Sequence, residues 1–137
     1  MTTNTRRPLI CVSANAMQSA HTRGRVHATG ERSVHSLLRM VDCIPLLLPP
    51  VGDAIDIDDL VSRADGVLLT GGRANIEPHH YDGPEFPDDE IIDPSRDALV
   101  LPLVRACIAA RVPVFGICRG IQEINVCLLY TSDAADE

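Results

Sequence analysis

The chain has 137 residues, enough for one domain with a sizeable core. Hydrophobic residues make up 45 %, aromatic residues only 3 %, and tryptophan is absent, so the core must be mainly aliphatic. The formal net charge of −7 disfavours nucleic acid and anionic membranes as partners, because both repel an acidic protein. No segment approaches the roughly 20 apolar residues of a membrane span, and the N-terminal residues do not resemble a signal peptide. We therefore expect a cytoplasmic location.

The five cysteines, at positions 11, 43, 107, 118 and 127, are odd in number and lack the CxxC spacing of metal sites. Cys11, Cys43 and Cys107 lie in or beside apolar stretches, which predicts small buried side chains. The sequence predicts neither a metal site nor a cofactor.

Short apolar runs alternate with helical patterns along the chain. The first strand is predicted at Leu9–Ser13, and residues 14–30, which show no clear period, are predicted to form a loop. The next elements are a helix over 31–41, a strand over 44–48, a helix over 53–64 and a strand over 67–69. Residues 73–92 are polar, proline-bearing and acidic. We interpret the acidic run over 82–93 as a solvated loop, with a cation site as the alternative.

The last predicted elements are a helix and a strand. Asp93 and Pro94 are typical of a helix start, and the helix should continue to about residue 110, with Pro102 kinking it or marking a later start. The fourth strand is predicted over 112–117. This alternation predicts an α/β fold with a parallel sheet and helices on both faces.

Residues 114–120 read Val-Phe-Gly-Ile-Cys-Arg-Gly, an apolar strand running into Gly-x-Cys-x-Gly. This pattern is typical of a nucleophile elbow, a strained strand-to-helix turn whose neighbours must be small. The following helix would direct its free N–H groups at the sulfur of Cys118 and favour the reactive thiolate. The backbone N–H of Arg119 would be one donor to an oxyanion. The alternative is a buried cysteine between two packing glycines.

Gly71-Gly72 follows the third strand. The carboxyl ends of parallel strands share one edge of the sheet, where ligands bind, so this pair should lie beside the elbow. Either glycine could turn an N–H toward the same oxyanion. An ordinary strand-to-loop turn is the alternative.

Four segments together resemble the γ-glutamyl-γ-aminobutyrate hydrolases of the class I glutamine amidotransferase-like superfamily (peptidase family C26). The resemblance covers roughly residues 8–126 and rests on segments 65–72, 75–81, 93–97 and 113–123. It implies a flavodoxin-like α/β fold and hydrolysis of a γ-glutamyl amide, with γ-glutamyl-γ-aminobutyrate from putrescine breakdown as the type substrate. The partner would be that small molecule, and a homodimer of the full-length protein is left open.

The resemblance also implies roles for individual residues. Cys118 matches the nucleophile, which would form a γ-glutamyl thioester that water then cleaves. Gly72, with Gly71 beside it, and Arg119 match the oxyanion donors, and Gln122 matches a position near the glutamyl group. Asp93, Arg96 and Asp97 match family-typical positions. We interpret them as capping and ion-pairing residues, with direct substrate contact as the alternative.

The family pattern stops after residue 126. In this family a histidine and a glutamate later in the chain serve as base and orienting carboxylate, whereas all five histidines here precede Cys118. Residues 127–137 resemble translated sequencing-library adapter. We therefore expect residues 1–126 to be the N-terminal part of a single amidotransferase-like domain, residues 127–137 to be a non-native tail, and the chain by itself to be inactive and poorly soluble.

Two other functions remain open at this stage. A glutaminase subunit that donates ammonia to a synthetase would use the same elbow. A non-catalytic amidotransferase-like binding domain would keep the elbow without its base.

Overall fold

Four parallel strands form the central sheet of the structure, a computed structural model that describes residues 5–135, with side chains described to residue 129. The strands are β1 (Leu9–Ser13), β4 (Ile44–Leu48), β5 (Gly66–Leu69) and β6 (Val114–Gly116), in the spatial order β4-β1-β5-β6. β2 (Asn15–Gln18) and β3 (Arg25–Ala28) form a separate antiparallel hairpin. The predicted parallel α/β fold is confirmed, and it is consistent with the glutamine amidotransferase-like fold.

Four α-helices accompany the sheet in the described part of the chain: α1 (Glu31–Met40), α2 (Ile57–Arg63), α3 (Pro94–Ala110) and α4 (Arg119–Ala135). α3 packs against both α2 and α4. Its apolar residues face the sheet side that carries Cys11, Val67 and Leu69, and together they form the buried core. None of these helices is long and apolar enough to cross a membrane.

The opposite face of the sheet is only partly covered. Strand residues alternate between the two faces, so Ile10 and Leu68 lie opposite the core and line a groove of about 430 Å³ beside α1. Phe115 on β6, at the edge of the described sheet, is 68 % exposed. Exposed apolar surface next to a sheet edge favours aggregation, which supports the expectation of poor solubility; that expectation stays a prediction.

The prediction of a loop over residues 14–30 was wrong. The hairpin pairs Asn15 with Ala28, and the amide of Ser19 donates to Gly24 O at 3.2 Å across its turn. The carboxylate of Asp93, 77 positions away, accepts from the amide of Ala16 at 3.0 Å. Such a short strand with little alternation is fixed by tertiary contacts that the local pattern does not contain.

Two predicted elements, α2 and β6, shift by more than one residue, whereas α3 keeps its predicted bounds. α2 begins at Ile57 because the side chain of Asp56 accepts from the amide of Asp59 and caps the helix there. β6 is shorter than the predicted 112–117. α3 begins after Asp93 as predicted and runs through Pro102 without ending, stopping where Arg111 adopts a left-handed conformation.

The boundary predicted at residue 127 stays untested. α4 continues through it to Ala135, and Cys127 is buried with its thiol 3.4 Å from Leu101 O. Residues 136–137 of the predicted tail lie outside the described residues.

Candidate functional site

Cys118 lies in a sharp turn between β6 and α4. Its φ of +52° is a left-handed value that a non-glycine residue seldom adopts. Three hydrogen bonds hold the turn: Ile117 N to Leu69 O at 2.9 Å, Gly120 N to Ile117 O at 2.9 Å, and Ile121 N to Cys118 O at 3.0 Å. Cys118 is exposed, whereas the other four cysteines are buried. This strained, outward-facing conformation is the geometry of a nucleophile elbow.

The two glycines around Cys118 are required by close backbone contacts. A Cβ on Gly116 would lie 2.6 Å from the carbonyl carbon of Gly120. A Cβ on Gly120 would lie 2.8 Å from Leu69 Cβ and would clash with the carbonyl oxygen of the same residue. The start of α4 therefore lies closer to β6 at Gly116, and closer to β5 at Gly120, than a side chain at either position would permit.

Gly71 and Gly72 lie at the end of β5, as the sequence predicts. A Cβ placed on Gly71 would be 3.5 Å from Cys118 Cβ, so this glycine borders the nucleophile candidate directly. A Cβ on Gly72 would instead lie 2.5 Å from Asn15 Oδ1 and 3.3 Å from Arg96 Nη1. The amide of Arg119, at the first position of α4, has no acceptor within its own helix. The oxyanion roles of these residues stay predictions.

A buried ion network lies beneath the elbow. Arg96 donates to both carboxylate oxygens of Glu123, from Nε at 3.0 Å and from Nη2 at 2.7 Å. Arg119 pairs with the carboxylate of Asp97, and its Nε lies 3.6 Å from Glu123 Oε2. All four side chains are at most 2 % exposed. The two guanidinium groups and two carboxylates have no net charge together, and each buried charge has a partner that offsets the cost of removing it from water.

The network also fixes the loop that follows β5. Arg96 Nη2 donates to Thr70 O and Nη1 donates to Asn15 Oδ1, both at 2.6 Å. Arg119 Nη1 donates to Ala74 O at 2.5 Å. Ser13 Oγ accepts from the amide of Thr70 at 2.8 Å, which joins the ends of β1 and β5. Arg96 and Arg119 thus set the path of the backbone on both sides of Gly71-Gly72.

Asp93, Arg96 and Asp97 have the predicted capping and ion-pairing contacts. Asp93 caps α3 by accepting from the amide of Arg96 at 3.1 Å, and Asp97 accepts from the amide of Glu77 at 3.0 Å. Burial raises the pKa of Asp97 from its usual value, against the opposing effects of the Glu77 amide and Arg119.

The loop between β5 and α3 carries a second group of polar side chains. A short 3₁₀ helix, Pro78–His80, brings Glu77, His79 and His80 together. His80 Nε2 lies 3.9 Å from Asp97 Oδ2. Burial, and then the neighbouring His79, lower the pKa of His80.

Gln122 lies one turn after Cys118 in α4 and is exposed. It lines a cavity of about 470 Å³ together with Asn75, Ile76, Tyr81, Phe86, Asn125, Val126 and Leu129. Within the described part of the chain, no hydrogen bond or ion pair joins Cys118 to a histidine. The structure therefore brings Gly71 to Cys118 and connects Arg119 to the buried network, while Gln122 belongs to the neighbouring cavity.

Sequence reasoning missed Asn15, Thr70 and Glu123 as parts of this arrangement. Glu123 stands four residues after Arg119 in the elbow helix, a spacing that places both side chains on one face. This spacing could have predicted that Glu123 interacts with Arg119. Nothing in the sequence could have predicted the contact of Asn15, because its partner Arg96 is 81 positions away.

A parallel α/β sheet with a strained cysteine turn at its carboxyl edge is consistent with the glutamine amidotransferase-like class. The family model of peptidase C26 matches residues 8–130, and this chain belongs to that family.

Curated relatives agree with this assignment. The chain is 37 % identical over 84 residues to the γ-glutamyl-γ-aminobutyrate hydrolase of Escherichia coli O157:H7, covering 61 % of this chain and 32 % of the relative. For the same enzyme of E. coli K12, PuuD, the identity is 36 % with the same coverage. A putative glutamine amidotransferase-like protein of Rickettsia prowazekii is 34 % identical over 83 residues, covering 61 % of this chain and 29 % of the relative. The matched part spans about a third of the length of these relatives.

Proposed function

We propose that this chain contributes the nucleophilic half of a hydrolase that cleaves γ-glutamyl amides. The observation that carries the proposal is Cys118, an exposed cysteine at a left-handed φ between two obligatory glycines. The named hydrolase relatives, at 36–37 % identity, supply the substrate class.

The reaction would proceed in two steps. Sγ of Cys118 attacks the γ-carbonyl carbon, the C–N bond breaks, and the amine leaves with a proton. Water then cleaves the thioester, which releases glutamate and restores the thiol. With γ-glutamyl-γ-aminobutyrate as substrate, the leaving amine is γ-aminobutyrate.

The polar environment of Cys118 supports this chemistry. The Arg119 amide at the start of α4 and an amide of the adjacent Gly71-Gly72 pair are available for the oxygen that becomes negative in the tetrahedral intermediate. The cavity beside Gln122 also offers the side-chain amide of Asn125, which suits the polar end of a glutamyl group. Asn75 in the same cavity already donates its Nδ2 to Glu90 Oε1.

An activated γ-glutamyl ester tests the role of Cys118 directly, because its good leaving group needs no general acid. We expect mass spectrometry of the intact protein to show one γ-glutamyl adduct, mapped by peptide analysis to Cys118. Cys118→Ser should remove the adduct, whereas Cys43→Ala, a change at a buried cysteine, should leave it. Absence of the adduct, or its presence on another cysteine, would refute the proposal.

A second candidate function is a glutaminase that donates ammonia, since several relatives are named as putative glutamine amidotransferase-like proteins. The rates of adduct formation separate the two. In a γ-glutamyl hydrolase, γ-glutamyl-γ-aminobutyrate should slow the reaction of Cys118 with the ester at a lower concentration than glutamine does. In a glutaminase, glutamine should slow it at the lower concentration.

A further inference from the structure

A cluster of one glutamate and two histidines lies in the loop between β5 and α3, apart from the cysteine elbow. Glu77, His79 and His80 each offer one ligand atom, and these atoms all lie within 4.8 Å of one another. His79 Nε2 is 3.7 Å from Glu77 Oε1. The two imidazole rings have centroids 4.0 Å apart and are tilted by 38°. Three good metal donors thus converge on one short turn.

The separations fit a shared cation better than direct hydrogen bonds. A distance of 3.7 Å between nitrogen and oxygen is too long for a hydrogen bond. Zinc binds histidine nitrogen and carboxylate oxygen at about 2.0–2.2 Å in a tetrahedron, so two of its ligand atoms lie roughly 3.4 Å apart. The 3.7 Å pair is close to that spacing. Atoms as far apart as 4.8 Å would have to close by roughly 1.4 Å, and rotation of the exposed His79 side chain contributes to that closure.

The surroundings of the cluster are acidic. Glu77 and His79 line a cavity of about 640 Å³ whose wall also holds Asp82, Glu85, Asp88 and Glu90, and no lysine or arginine is among its lining residues. Carboxylates that line a cleft raise the local concentration of cations. On the other side, the carboxylate of Asp97 lies 3.9 Å from His80 Nε2. At that distance Asp97 does not hydrogen-bond the ring; it places a carboxylate close to His80.

We propose that Glu77, His79 and His80 bind a divalent transition-metal ion of the zinc type, with water completing the coordination. Two imidazoles and a carboxylate suit Zn²⁺, Co²⁺ or Ni²⁺, whereas Mg²⁺ and Ca²⁺ prefer oxygen ligands. The ion would stabilise the 3₁₀ helix in its position beside Asp97, whose carboxylate already accepts a hydrogen bond from the Glu77 amide. The site is independent of the proposed hydrolase function.

Titration of the full 137-residue chain with Zn²⁺ and Co²⁺ tests the site. Cys118→Ser serves as the background, because it removes the exposed thiol as a competing ligand. We expect one equivalent of Zn²⁺ by calorimetry and a visible Co²⁺ absorption band that Zn²⁺ abolishes and Mg²⁺ does not.

Three single substitutions then locate the ion. His79→Gln and Glu77→Gln should each weaken Zn²⁺ binding by about tenfold or more, since each removes a ligand. His35→Gln is the matched control, because His35 is an exposed histidine 3.2 Å from a glutamate on α1, and it should not change the affinity. Circular dichroism confirms that each variant is folded. No Zn²⁺ binding by the parent protein, or equal affinity in His79→Gln and His35→Gln, would overturn the proposal.

Discussion

Replacement of Glu123 by glutamine should show how much the buried network contributes to stability. The change keeps the shape of the side chain but removes one negative charge from a balanced set of two guanidiniums and two carboxylates. Arg96 loses one of its two charge-assisted hydrogen bonds to Glu123, and the new amide NH₂ faces a donor. The buried cluster is left with a net positive charge.

The expected cost follows from burial. Breaking a fully buried ion pair from one side costs about 3–5 kcal/mol, because an uncompensated charge remains out of water. Domains of this size are stable by about 5–15 kcal/mol, so the loss is a large part of the total. With a urea m-value of about 2 kcal/mol per M, the midpoint should fall by about 1.5–2.5 M.

The assay is urea unfolding followed by far-ultraviolet circular dichroism at low protein concentration. Asp59→Asn is the matched control, since it makes the same carboxylate-to-amide change in an exposed pair, where Asp59 lies 3.0 Å from Arg63. Exposed pairs contribute about 0–1 kcal/mol. The reasoning is refuted if the midpoint of Glu123→Gln lies within the error of the Asp59→Asn midpoint.

Two further predictions concern the elbow and the buried thiols. Gly120→Ala should cost about 1–3 kcal/mol in urea unfolding, because its Cβ would meet the Leu69 backbone, and it should slow alkylation of Cys118. Gly24→Ala is the control and should be near neutral, because its Cβ would meet only Thr22 Oγ1, at 4.0 Å. Burial raises the pKa of Cys107 from 9.0 to about 11, so between these pH values the folded state keeps a proton that the unfolded chain releases. The free energy of unfolding should therefore be level below pH 9 and fall between pH 9 and 11. Thermal melts from pH 7 to 11 measure that fall, and Cys107→Ala should reduce it.

Clear outcomes would contradict each of these two predictions. Equal unfolding midpoints for Gly120→Ala and Gly24→Ala would mean that α4 can move away from β5 to make room for the Cβ without a loss of stability. Stability that stays level up to pH 11, or falls equally in Cys107→Ala, would remove Cys107 as the cause. All twelve basic residues of the chain are arginines, so no lysine titrates in this window.

Local chemistry was sufficient to predict the sheet strands, the start of α3 and the elbow. Short runs of aliphatic residues bounded by glycine and proline favour buried strands. Asp93-Pro94 combines an N-cap residue with a proline at the first helical position, and helix-forming residues follow. Gly-x-Cys-x-Gly after such a strand predicts a turn in which neither flanking residue has room for a Cβ. The resemblance to the family then followed from the order of these motifs.

Tertiary structure alone decided what surrounds the elbow. The β2–β3 hairpin has too little alternation to be recognised, and its place is set by Asp93, 77 positions from Ala16. The pairing of Arg96 with Glu123, and of Arg119 with Asp97, joins side chains on two helices that only the packed sheet brings together. Sequence gives the identity of such charges, but which carboxylate lies within reach of which guanidinium depends on where folding buries them, because a buried charge must find a partner among its neighbours in space.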